Sequence, residues 1–133
     1  MSCCTFLASD RPLPRIERQK QEDLGLLPLL VVPRPCELTC AAEVEAELTL
    51  DTAEQLLAQI RAALGQSESV ELWRVWLMDF WEFEERPYLH TSVRRYGELM
   101  LEELLAVAKA EVWNKPDKAY PDRPSFYRLI ITR

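Results

Sequence analysis

At 133 residues the chain is long enough to bury a core without metals or disulfides, and 48% apolar with 29% charged residues is the balance of a globular domain. A net charge of −6, from 22 acidic and 16 basic residues, excludes phosphate-driven binding to nucleic acid, which needs clustered Lys and Arg. The most apolar run, Leu24 to Val32, is interrupted by Gly25 and Pro28 and is far short of the roughly 20 residues a membrane-spanning helix needs. It also follows Arg15, Arg18 and Lys20 too deep in the chain for a signal peptide, so the expectation is a cytoplasmic protein with reduced thiols.

In chain order, residues 3–8 predict a short first strand. Residues 9–35 hold five of the nine prolines and a charged run from Arg15 to Asp23, which predicts an irregular segment with a strand at 26–32. From Cys36 to Asp51 the pattern alternates: Cys36, Leu38, Cys40, Ala42, Val44, Ala46, Leu48 and Leu50 against Glu37, Thr39, Ala41, Glu43, Glu45, Glu47, Thr49 and Asp51. A period of two predicts a long strand with one apolar and one acidic face.

A helix follows, capped by Asp51 or Thr52, with Ala53, Leu56, Leu57, Ile60 and Leu64 on one stripe and Gly65 as the left-handed stop. Residues 69–83 read as a second long strand with two apolar faces: Trp73, Val75, Leu77, Trp81 and Phe83 on one, Val70, Leu72, Trp76, Met78 and Phe80 on the other. Such a strand is central in a covered sheet or meets a partner. Residues 88–93 predict a short return strand, and a second helix runs from Ser92 or Arg95 to Val112 with Tyr96, Leu99, Met100, Leu104, Val107 and Ala108 on one side. A last strand spans Ser125 to Thr132.

From residue 36 the order is βαββαβ, the arrangement of ferredoxin-like domains: an α+β fold with an antiparallel sheet and two helices on one face. The expectation is one domain over 1–133, with 1–35 adding an edge strand or wrapping the βαββαβ core at 36–133. The segment Phe-Leu-Ala-Ser-Asp-Arg-Pro-Leu-Pro at 6–14 resembles the opening of small uncharacterised bacterial proteins, and that resemblance implies no activity.

The chemistry-bearing residues are few. On a strand, Cys36 and Cys40 stand roughly 13 Å apart at about 3.3 Å per residue, too far to share an ion, so the four cysteines read as structural thiols and no metal or other cofactor is expected. No Ser or Cys has the surroundings of a nucleophile, and three glycines cannot build a phosphate-cradling loop. No catalytic residue is therefore assigned. The candidate binding residues are Trp73, Arg74, Trp76 and Trp81 on the aromatic strand, and His90, the one histidine. Each also has a plain structural reading, as core aromatic, cross-strand charge partner or half-buried imidazole.

Two functions fit. The first is a non-enzymatic module that binds a protein partner or a small ligand, as a homodimer or as an acidic immunity-type or regulatory domain blocking a basic partner. The second is an enzyme of the dimeric α+β-barrel type with an apolar aromatic pocket, in which His90, Arg74 and Trp76 supply polar and stacking groups.

Overall fold

A strand apolar on both faces must be covered on both, and that requirement organises the fold. The computed structural model describes residues 3–33, 36–76, 89–110, 112 and 126–133. The strands are β1 (Cys3–Ser9), β2 (Leu26–Pro28), β3 (Cys40–Val44), β4 (Ser69–Trp76), β5 (Leu89–Arg95) and β6 (Phe126–Thr132). The helices are α1 (Leu50–Leu64) and α2 (Leu101–Ala108), and a 3₁₀ turn at Tyr96–Glu98 precedes α2.

Among the described residues the strands form one sheet in the order β2-β3-β1-β4-β6-β5, antiparallel throughout except for the parallel pair β5–β6. The class is α+β, but the strand order is not a clean ferredoxin-like one. β3 and β4, both antiparallel to β1, run parallel on either side of it, so β3-α1-β4 is a split βαβ whose middle strand is the N-terminal one. The first strand, expected at an edge or wrapped around the sheet, lies inside it. Its composition explains this: Phe6, Leu7 and Ala8 are consecutive and fully buried, the continuous apolar run of a strand covered on both faces. In the second half, β5-α2-β6 is a direct parallel crossover, which the expected antiparallel sheet did not contain.

Both helices cover one face. Ala53, Leu56, Ile60 and Leu64 of α1 and Leu104 and Val107 of α2 close over Leu7, Ala42, Val44, Val70, Leu72, Leu129 and Ile131. The opposite face carries Cys4, Phe6, Ala8, Ala41, Trp73, Val75 and Phe126, overlaid by Leu29, Val32, Cys36 and Leu38. β4 thus sends Val70 and Leu72 to the helices and Trp73 and Val75 to the other side.

The long alternating strand is shorter than its pattern. Only Cys40–Val44 pairs in the sheet, and the alternation is divided between faces: Cys36 and Leu38 pack on the face opposite the helices, Ala42, Val44 and Leu48 on the helix side. Leu50, the last apolar member, opens α1 and is exposed. Helix initiation overrides the alternation there. The cap is Thr49, not Asp51 or Thr52: the Thr52 amide donates to Thr49 Oγ1 at 3.4 Å and the Thr49 amide to Thr52 Oγ1 at 2.7 Å. Gly65 ends the helix in right-handed geometry (φ −66°, ψ −20°), not as a left-handed stop.

The second helix is likewise shorter than its apolar stripe. Residues 92–95 pair in β5, alongside Leu129 to Thr132, so the helix begins only at Leu101. Glu103 ties its start, accepting from the Met100 amide at 3.4 Å and pairing with Arg94 at 2.8 Å. The expected strand at 26–32 is limited to three residues, with Ile16 bridging Leu26. Gly25 permits that approach, because a Cβ there would lie 2.7 Å from Arg18 Cγ. Residues 77–83 of the expected aromatic strand lie outside the described residues. Among the described residues no helix is long and apolar enough to cross a membrane.

Candidate functional site

Strand register separates the sequence-selected candidates. Trp73 faces away from the helices and is completely buried; its ring lies parallel to Phe6, its Nε1 donates to Glu71 Oε1 at 2.8 Å, and the Arg128 guanidinium sits 5.3 Å from the ring centroid. It is a core residue, with no surface to offer a ligand. Trp76 closes β4 opposite Cys3; its side chain, and the whole of Trp81, lie outside the described residues.

Arg74 and His90 share the helix-side face. Thr5, Arg74, Tyr127 and His90 are in register across β1, β4, β6 and β5, one row beyond Leu7, Leu72, Leu129 and Ser92. Arg74 and His90 are two strands apart, about 10 Å at the usual spacing, with Tyr127 between them. Arg74 Nη1 donates to Thr5 Oγ1 at 3.0 Å, and the His90 ring stacks on Tyr127 with centroids 4.3 Å apart. Arg74 Nε and His90 Nδ1 are buried without a hydrogen-bond partner among the described residues. Thr5 and Tyr127 escaped the sequence reading because a row across four strands has no signature along the chain.

A notch opens where β3 leaves the sheet. The β1–β3 register ends at Phe6 opposite Glu43, so Cys3, Cys4 and Thr5 have no strand partner on that side among the described residues. The cavity, about 350 Å³, is lined by those residues, by Glu43 and the loop after β3 with Glu47 and Leu48, by Arg74, and by Lys109 at the end of α2. Burial, reinforced by the Glu43 carboxylate, pushes the Cys4 thiol up to about 12; Arg74 opposes the shift. Burial likewise pushes Cys36 up to about 11. Both thiols are therefore protonated near neutrality and are poor nucleophiles.

All four cysteines are free, and among the described residues no group of three or more His, Cys, Asp or Glu side chains is placed to hold a metal ion. Cys36 precedes β3 while Cys40 begins it, so the two thiols do not share a strand as expected.

A second concavity is acidic. Glu22, Asp23, Asp51 and Glu54 line a groove of about 430 Å³ between the loop before β2 and the first turns of α1. Gln55 braces its wall, accepting from the Leu24 amide at 3.0 Å, and the Lys20 amide donates to Asp23 at 3.2 Å. Among the described residues the ion pairs are Arg15–Glu17 and Arg94–Glu103, so no carboxylate of the groove is paired.

Fold and surface together define a mixed α+β domain with an acidic groove at one helix start and a mixed-charge notch at the sheet end. Compared with known protein families, curated proteins and solved structures, the chain matches none.

Proposed function

We propose that this protein is a non-catalytic, single-domain interaction module whose acidic side engages a basic protein partner. One observation carries the reading. Between Cys36 and Ile60 the chain has six carboxylates (Glu37, Glu43, Glu45, Glu47, Asp51, Glu54) and no Lys or Arg. The fold adds Glu22 and Asp23 beside Asp51 and Glu54. The groove carboxylates, which form no ion pair among the described residues, create a directional negative potential, which accelerates encounter with a basic surface and selects against acidic ones. Asp51 also sits in the first turn of α1, where the backbone dipole stabilises its charge. The protonated thiols, and a His90 stacked on Tyr127 whose Nδ1 has no hydrogen-bond partner among the described residues, favour binding over catalysis.

The test is calorimetric titration with a short arginine-rich peptide at low and moderate salt. Affinity falls as salt rises, because the Debye length shrinks to about 10 Å at 0.1 M. The matched double reversals Glu22→Lys/Glu54→Lys and Glu98→Lys/Glu102→Lys alter net charge equally. The first abolishes binding and the second leaves most of it. Equal losses would reduce the effect to bulk charge and overturn the reading.

A further inference from the structure

The notch beside β1 is a separate feature from the acidic groove. We infer that it is a binding site for a small zwitterion of the α-amino acid type, held by its carboxylate at Arg74 and by its ammonium group at Glu47.

Its lining carries the Glu47 carboxylate and two cations, Arg74 and Lys109, yet no ion pair closes among the three; Glu43, in register with Phe6, turns to the face opposite the helices, beside Cys4. Opposite charges that share a concavity without pairing leave both signs available to a ligand. A simple anion would gain Arg74 but stand beside Glu47, and a simple cation would meet the reverse conflict. A ligand with both charges is neutralised at each end.

Arg74 is prepared for this role. Thr5 holds Nη1 at 3.0 Å, while the buried Nε has no acceptor among the described residues. A guanidinium anchored at one nitrogen with another unfilled suits a carboxylate, which accepts from two N–H groups at once. The unpaired edge of β1 adds backbone groups at the floor of the notch. Val44, Ala46, Leu48 and Ala108 supply apolar wall, which fits an aliphatic side chain. The volume of about 350 Å³ lies in the range of small-molecule sites.

The probe is L-leucine, titrated into the intact protein and followed by calorimetry and amide NMR shifts, with N-acetyl-L-leucine and L-leucinamide as blocked controls. L-leucine binds and moves the resonances of Thr5, Glu47 and Lys109, while each blocked form binds about tenfold more weakly or not at all. Glu47→Gln, at an exposed loop position, weakens L-leucine without affecting folding, and Arg74→Lys retains part of the affinity that Arg74→Gln loses. Should the Arg74 variants fail to fold, the blocked ligands still decide. Absence of L-leucine binding at millimolar concentration overturns the inference. So does binding of N-acetyl-L-leucine equal to that of L-leucine, or an unchanged affinity in Glu47→Gln. The wild-type L-leucine titration and its blocked controls alter no residue of the acidic run, so their outcome stands apart from that of the peptide titration.

Discussion

The rings of Phe6 and Trp73, from neighbouring strands in register, lie 6.0 Å apart and within 3° of parallel, both completely buried. The most conspicuous tryptophan of the sequence therefore serves the core beneath residues 29–33 and 36–38. Offset stacking of this kind adds about 0.5–1.5 kcal/mol beyond the area the rings bury.

Trp73→Ala removes that stack, the hydrogen bond to Glu71 and the surface on which Arg128 rests. The expected cost is about 3–5 kcal/mol, measured by urea unfolding. Trp73→Phe retains most of the packing and costs markedly less. A loss below that of an ordinary surface substitution would contradict the core assignment.

The two arms of the α1 cap differ in strength. Thr52 is buried, accepts from the Thr49 amide at 2.7 Å and reaches the Glu47 carbonyl at 3.1 Å; the Thr49 hydroxyl contributes a longer contact of 3.4 Å. Thr49→Ala is expected to cost about 1 kcal/mol. Thr52→Ala costs more, about 1–3 kcal/mol, because it removes a buried hydroxyl that accepts from the Thr49 amide and donates to the Glu47 carbonyl. Thermal unfolding of the two variants checks the order.

Alkaline pH tests the two perturbed thiols. Cys4 and Cys36 ionise near 12 and 11 in the folded protein, against 9.0 for an ordinary thiol. The unfolded chain therefore loses these protons first as pH rises, and the linkage sign makes stability fall with pH. Their contribution is complete below pH 9 and declines from about 9 to 11 for Cys36 and to 12 for Cys4. Denaturant midpoints measured from pH 7 to 10.5 decline above 9, and Cys36→Ala lessens the decline.

Local patterns were legible in the chain where one environment persisted over several residues. The α1 stripe of Ala53, Leu56, Ile60 and Leu64 is buried as its spacing predicts, and the terminal strand begins within a residue of its expected start. Arg74 was marked as a candidate on the aromatic strand; in the fold its Nη1 donates to Thr5 Oγ1 and its Nε is buried. Trp73 was marked for the same strand and lies in the core, because successive residues of a strand point to opposite faces.

What the sequence determined by itself is the α+β class, the amphipathic first helix and a β4 that must be covered on both sides. These follow from periodicity, which records whether each residue is buried. The tertiary structure alone decided that β1 runs through the middle of the sheet, that β5 and β6 are parallel, and that the 36–50 alternation is shared between two faces. Strand pairing depends on contacts between residues far apart in the chain, which period-two patterns do not encode. The notch at Arg74 exists for the same reason: β3 ends at Val44 while β1 continues to Cys3, a mismatch created only when the two strands meet.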